Sequence, residues 1–258
     1  MNTSTEKTTN PVSVVLITLN AARQLEACLA SVSTFADEIV LVDSGSTDNT
    51  TEIAEQFGAK VIQQRWLGFG AQKQFAVEQA RNDWVLCLDA DERVSGNLQA
   101  SIIQLLATQP SHLAYRFPRC NKFLGRYLRH GEGYPDWSLR LFNRRFAHWS
   151  DDEVHEKVLV NGAVGQLSGD LLHDSAETID SYLSKQNRYT SLAAEEALAK
   201  GKKATAIQLL LSPAVRFFKF YFLRQGFRDG IPGLVHILIG CFNSFCKYAK
   251  MLEKQRTE

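Results

Sequence analysis

The chain has 258 residues, 45% of them hydrophobic, with 29 Lys/Arg against 28 Asp/Glu and a formal net charge of +1. That length and apolar share suit one α/β domain with an appendage and exclude a disordered chain. Near-neutrality argues against nucleic acid as a partner, yet from Lys200 to Glu258 eleven Lys/Arg stand against three Asp/Glu, so a basic, apolar end follows an acidic body and is expected to meet an anionic surface.

Residues 1–10 are polar and Thr-rich, without the apolar core of a signal peptide, and are expected to form a flexible tail. The next stretch alternates. Strands are predicted at Val12–Ile17, Glu38–Val42, Lys60–Gln63 and Trp84–Leu88. Helices are predicted between them at Ala21–Ser33, Thr47–Phe57 and Gly70–Ala80, with another at Asn97–Ala107. Ser46, Asp48 and Asn49 are capping candidates for the second helix. This rhythm predicts an α/β fold with a mostly parallel central sheet flanked by helices.

From about Leu113 to Leu172 the pattern changes to short β-like pieces, such as Ala114–Phe117 and Ser138–Phe142, broken by Gly, Asn and aromatic residues. From Glu177 onward the chain reads as helices. The five cysteines are odd in number and contain no Cys-x-x-Cys pair, which fits free thiols in a reducing, cytoplasmic setting.

Asp89-Ala90-Asp91 stands where the run Trp84–Leu88 should leave the core. Two acids one residue apart at a strand exit can share a hard divalent cation that also grips a phosphate. In open α/β sheets that edge is where ligands bind. Polar loops also follow strands for no such reason, so the triplet by itself leaves both readings open. Two further strands end in comparable turns: Thr18-Leu19-Asn20 after the first, and Asp43-Ser44-Gly45-Ser46 after the second.

These three motifs, in this order and spacing, resemble the family 2 glycosyltransferases of the GT-A (Rossmann-like) fold. Phe69-Gly70-Ala71-Gln72-Lys73-Gln74 and Val154-His155-Glu156 narrow the likeness to bacterial lipopolysaccharide inner-core β-1,4-glucosyltransferases. The resemblance implies that residues 11–176 form the catalytic domain, with nucleotide-binding residues 11–95 and acceptor-side residues 96–176. Residues 177–258 would be a helical, basic, membrane-associating appendage. It further implies a UDP-sugar donor bordered by Thr18, Leu19, Asn20, Asp43, Lys73, Asp89, Ala90 and Asp91. Asp43 would accept a hydrogen bond from the uracil imide, and Asp91 would ligate manganese or magnesium. Gln74 replaces the Asn usual after the cation, which leaves that side chain's role open.

An inverting transfer needs one base to take the proton of the acceptor hydroxyl. The cluster Asp151-Asp152-Glu153-Val154-His155-Glu156 supplies the candidates, with Glu156 preferred and Asp152 and Asp136 as rivals. The same acids could instead pair with Arg144 and Arg145. His155 and His173 are candidate metal ligands, although a lone His is more often structural.

The basic run from Arg116 to Arg145, Arg140 included, could hold an anionic acceptor or pair locally. Tyr134 and Trp137 could stack on a sugar ring. The implied acceptor is a heptose of the lipopolysaccharide inner core, at the cytoplasmic face of the inner membrane.

Ile207–Leu223 and Ile231–Phe245 are apolar, aromatic and flanked by basic residues. Neither gives about 20 clean apolar residues, so peripheral contact rather than a span is expected. Two other classes are set against this reading. A sugar nucleotidyltransferase would need a Gly-rich loop after the first strand, and residues 18–23 contain no glycine. A non-catalytic nucleotide-sugar-binding protein would not need Asp43, Asp89 and Asp91 together.

Overall fold

The structure is a computed structural model and describes residues 10–152, 156–175 and 178–257. Its elements follow in chain order: β1 (Val12–Thr18), α1 (Ala22–Ala30), β2 (Glu38–Asp43), α2 (Thr50–Gln56), β3 (Lys60–Gln63), α3 (Phe69–Glu78), β4 (Trp84–Asp89), β5 (Glu92–Val94) and α4 (Gly96–Leu106). Then come β6 (Ala114–Phe123), β7 (Arg126–Tyr127), β8 (Asp136–Asn143), β9 (Ala147–Trp149), β10 (Val158–Val160), β11 (Gly165–Gln166) and β12 (Leu171–His173). The helices α5 (Ile179–Ala199), α6 (Ala206–Phe217) and α7 (Gly230–Thr257) close the chain.

The expected elements of the first half are all present, and the ends differ for local reasons. Helix α1 stops at Ala30 because the Ser31 hydroxyl donates to the Cys28 carbonyl at 2.6 Å and competes with the helical ladder. Helix α2 begins at Thr50, later than expected. Of the three capping candidates Asp48 is used: its carboxylate accepts from the Thr50 and Ala22 backbone N–H groups, each at 3.1 Å.

Among the described residues the main sheet runs β3-β2-β1-β4-β8-β6-β12-β5. Strands β3, β2, β1 and β4 are mutually parallel, whereas β8 is antiparallel to both β4 and β6. The chain order reverses between β1 and β4, which makes their carboxyl ends the topological switch point. Both faces of the central parallel strands β2, β1 and β4 are buried, whereas the edge strand β3 is half-exposed. Val12, Val14, Leu16, Leu86 and Leu88 pack on α1 and α4, while Val15, Val40, Val85 and Cys87 pack on α3 and Trp149. Burial on two sides is why these strands read as unbroken apolar runs. All five cysteines are free.

The chain divides into two compact units, Met1–Arg119 with Asp136–His173, and Cys120–Pro135 with Asp174–Glu258. The stretch 120–135, expected on the acceptor side of the catalytic domain, therefore belongs with the helices. Asp229 is buried and accepts from the Arg129 and His130 backbone N–H groups at 2.9 and 2.7 Å, and Glu132 pairs with Arg216. In the same unit α5 packs on α7 through Ala194, Ala197, Tyr248 and Met251.

Helix α6 begins with a capping box between Thr205 and Gln208 and continues into a π-helical segment, Phe218–Leu223. Ile207, Leu210, Leu211, Val215, Phe218 and Phe222 are all exposed, at a spacing that places them on one side of this helix. The expectation that no C-terminal segment matches a span is revised. By length and composition alone, Ala206–Leu223 and Gly226–Arg256 are each long and apolar enough to cross a membrane. Helix α7 extends well beyond the apolar stretch Ile231–Phe245, and Pro232 lies in its first turn, where the missing N–H costs nothing.

Candidate active site

The parallel register sets three turns side by side: Thr18 opposite Asp43, and Ile17 opposite Asp89. Asp43 ends β2 and is buried. Its Oδ2 accepts from the backbone N–H groups of Gly45 (2.9 Å) and Ser46 (2.7 Å), closing a tight turn in which Gly45 adopts a φ of +98°. Its Oδ1 accepts from the hydroxyls of Thr18 (3.0 Å) and Ser46. Burial pushes this carboxyl up, but the four hydrogen bonds outweigh it and hold the pKa below the ordinary value.

Asn20 has a φ of +51°, a conformation Asn tolerates, and its Oδ1 accepts from Thr47 N–H at 2.8 Å. The first two turns are thereby tied together, and Leu19 projects from them, 57% exposed.

Asp89 sits between two cations. Its Oδ1 lies 3.2 Å from Lys73 Nζ on α3, and its Oδ2 lies 2.6 Å from Arg140 Nη2 on β8. Arg140 Nη2 also donates to Glu92 Oε1 at 3.0 Å, while Glu92 Oε2 accepts from Asp89 N–H at 3.0 Å. Arg119 approaches Glu92 at 3.6 Å and pairs with Asp136 at 2.7 Å. Burial raises Asp89, but Arg140 and Lys73 more than offset it, and the pKa falls well below the carboxylate range. Glu92 goes the other way: burial and the neighbouring Asp89 charge raise it despite Arg140. For Arg140 burial opposes the charge, but the two carboxylates dominate and hold the guanidinium ionised.

Trp149 underlies this cluster. Lys73 Nζ lies 4.8 Å and Arg140 Cζ 5.7 Å from its ring centroids, and its Nε1 donates to Cys87 Sγ at 3.4 Å. Gln74, whose role the sequence left open, fixes this residue in place by accepting from the Trp149 backbone N–H at 3.0 Å.

Lys73 is buried and also binds Glu156 Oε1 at 3.0 Å, which places the preferred base candidate on the same cation as Asp89. Asp91 lies just past β4, with its Oδ2 3.2 Å from His173 Nε2 on β12. Antiparallel pairing of β12 with β5, which sets His173 opposite Glu92, brings the two together. Among the described residues no cluster of three or more His, Cys, Asp and Glu could hold a metal.

Several expected residues are placed differently. Arg140, expected to face the acceptor, is 6% exposed and committed to Asp89 and Glu92; β8 lies beside β4 and points it into the core. Asp152 is exposed, and its backbone lies against Gly70 at the start of α3. Arg145 pairs with Asp83, and Arg144 donates to the Asn82 carbonyl. Trp137 is exposed as expected, with Arg116 Cζ 5.1 Å from its ring. Ala90 is part of the turn after β4. His155 and the rest of 153–155 lie outside the described residues. Sequence reasoning missed Trp149 and Arg119, which touch the site only through non-local strand pairing. Glu92, the acid that follows Asp91, carried a usable signal as a third carboxylate at the strand exit.

A cluster of cationic and anionic side chains thus stands at the carboxyl edge of the parallel strands, the edge where open α/β sheets bind ligands. Residues 13–163 match the family described as Glycosyl transferase family 2, and the chain belongs to that family; it is a glycosyltransferase. An uncharacterized glycosyltransferase of Rickettsia bellii (strain RML369-C) is 34% identical over 96% of this chain and 88% of its own length. The lipopolysaccharide core biosynthesis glycosyltransferase LpsC of Rhizobium meliloti (strain 1021) is 30% identical over 95% of this chain and 93% of its own length. A solved glucosyl-3-phosphoglycerate synthase from Mycobacterium tuberculosis, in complex with Mn2+, UDP-glucose and phosphoglyceric acid, is 21% identical, with a TM-score of 0.40 over 53% of this chain and 57% of that one.

The buried cluster generates a stability test. Arg140→Ala leaves the Asp89 and Glu92 carboxylates without their shared counter-charge and is expected to cost about 3–5 kcal/mol at pH 7. Adding Glu92→Gln removes one of those charges and should recover part of the loss. Urea unfolding of the wild type, the single variants and the double variant checks both; additive effects would show that the two residues are not coupled.

Proposed function

We propose that the chain moves a sugar, glucose foremost, from a UDP-sugar to a heptose of the lipopolysaccharide inner core, with inversion, at the cytoplasmic face of the inner membrane. The observation that supports it most is the convergence of Asp89, Lys73 and Glu156 at the switch point, beside the Asp43 turn and Asp91. The lipopolysaccharide-core role carried in the name of the Rhizobium relative supports the acceptor class.

In this reading the Thr18–Asn20 turn and the Asp43 turn form the uridine end of the site. Uracil presents one N–H between two carbonyls, which a carboxylate acceptor recognises. The Thr18 and Ser46 hydroxyls that now donate to Asp43 Oδ1 can rotate to admit it. Lys73 brings positive charge to the diphosphate.

The residues present fit a divalent cation. A carboxylate and an imidazole, each partly exposed and 3.2 Å apart, supply two ligands of a site that manganese or magnesium completes with phosphate oxygens and water. Such an ion supplies charge stabilisation to the departing diphosphate. Glu156, held by Lys73, takes the proton of the attacking acceptor hydroxyl.

Release of UDP from a panel of UDP-sugars, with and without manganese and with truncated lipopolysaccharide as acceptor, tests the assignment. Metal-dependent release that requires both one sugar and the acceptor is expected. Asp91→Ala should lower turnover by more than about 100-fold with unchanged circular dichroism, and retained turnover would remove its metal role. Glu156→Gln should keep UDP binding while losing transfer by at least about 100-fold. An active Glu156→Gln beside an inactive Asp152→Asn would move the base to Asp152.

Membrane contact belongs to the same proposal. An exposed apolar helix side on a chain end rich in Lys and Arg is the composition of an interfacial helix on an anionic leaflet. Binding to phosphatidylglycerol vesicles should exceed binding to phosphatidylcholine vesicles and weaken with salt. The pair Leu211→Asp and Phe218→Asp should reduce co-sedimentation by about tenfold or more. Equal binding by the variant would point to another surface.

A further inference from the structure

Most cations near the site are already committed. Arg140 serves Asp89 and Glu92, Arg119 serves Asp136 and Glu92, Arg145 serves Asp83, and Arg144 donates to the Asn82 carbonyl. Arg116 differs. Among the described residues its side chain makes no hydrogen bond and no ion pair, and its Nε is buried with no hydrogen-bond partner. Its guanidinium lies over the ring of Trp137, Cζ to centroid 5.1 Å, and that ring is 42% exposed. A partly buried guanidinium with unspent donors is costly to keep and is satisfied by a ligand that brings acceptor oxygens.

The placement of Arg116 is specific. It follows a register shift between Tyr115 and Arg116 in the pairing of β6 with β8, and such bulges re-aim a side chain. It stands opposite Leu139, next in sequence to Arg140, and Trp137 stands opposite Pro118. Its strand is separated from β4 by β8. Two strand spacings put it roughly 10 Å from the strand that carries Asp89. That is too far to share the diphosphate held beside Lys73 and about one sugar residue further on.

We propose that Arg116, held flat by Trp137, binds an anionic group on the acceptor, a phosphate or carboxylate carried near the sugar that is glycosylated, and so sets acceptor specificity. This rests on the glycosyltransferase assignment and adds the acceptor's charge to it. A planar guanidinium presents two parallel N–H donors to either oxyanion, and the indole face limits its rotation. Trp137 also leaves exposed surface for the ring of the sugar that carries the charge.

The test uses the full chain and three heptosides of one skeleton, bearing a phosphate, a carboxylate or neither. Binding is read by intrinsic tryptophan fluorescence, and transfer by steady-state kinetics with the UDP-sugar. The wild type should bind at least one charged heptoside about 10- to 100-fold more tightly than the neutral one, and the better of the two names the oxyanion. Arg116→Gln should erase that preference by raising KM for the charged acceptor, leaving KM for the UDP-sugar and affinity for the neutral heptoside unchanged. Arg116→Lys keeps the charge without the fork and should recover part of the preference.

Equal wild-type affinity for all three heptosides would overturn the proposal. So would an Arg116→Gln variant that keeps the preference or loses neutral and charged acceptors alike. If Arg116→Gln fails to fold, the wild-type comparison and Arg116→Lys still decide. Failure of the transferase assignment would look different: charge-selective binding with no transfer to any heptoside.

Discussion

A buried arginine between two carboxylates is the constraint on which the rest of the site depends. Arg140 enters the core from β8 and meets Asp89 at the end of β4 and Glu92 at the start of β5. Glu92 is fully buried, and a lone carboxylate there would meet its desolvation cost by taking up a proton. With the guanidinium in place the two acids diverge: Asp89 is held strongly acidic, and Glu92 is raised by burial and by its neighbour's charge. The strand end is thereby fixed with one dependable anion, and Asp91, two residues on, leaves the core with its own partner, His173.

The surroundings repeat the same logic. Lys73 completes the charge around Asp89 and reaches Glu156, so the acid at the strand exit and the base candidate share one cation. Lys73 and Arg140 both approach Trp149, whose ring stabilises cations without adding a proton-accepting group. Trp149 is held in turn by Gln74 from the same helix that carries Lys73. The Asp43 turn uses neutral donors where the Asp89 turn uses charged ones. That difference suits Asp43 to a neutral base and the Asp89 edge to a charged diphosphate.

The helical unit follows a different rule. Its internal polar contacts, Asp229 with the 129–130 backbone and Glu132 with Arg216, tie the 120–135 stretch to the helices. Its apolar residues on α6 are left outward instead. A soluble helix normally turns its apolar side inward.

The sequence by itself determined the local part of this protein. Strands β1, β2 and β4 were legible because each is buried on both faces and reads as a short apolar run. The turns after them were legible because acids, Gly and Asn mark where the chain leaves the core. Once the strands are parallel, Thr18, Asp43 and Asp89 must share one edge, so their placement side by side was legible without coordinates. What only the tertiary structure decided is what comes from the second half. Arg140, Trp149, His173 and Arg116 sit on short antiparallel strands whose register no periodicity reveals, and a register change sends a side chain to the other face. Arg140 therefore proved to be a buried counter-charge rather than an acceptor contact, while Arg116, one of a run of similar arginines, is left among the described residues without a side-chain hydrogen bond or ion pair.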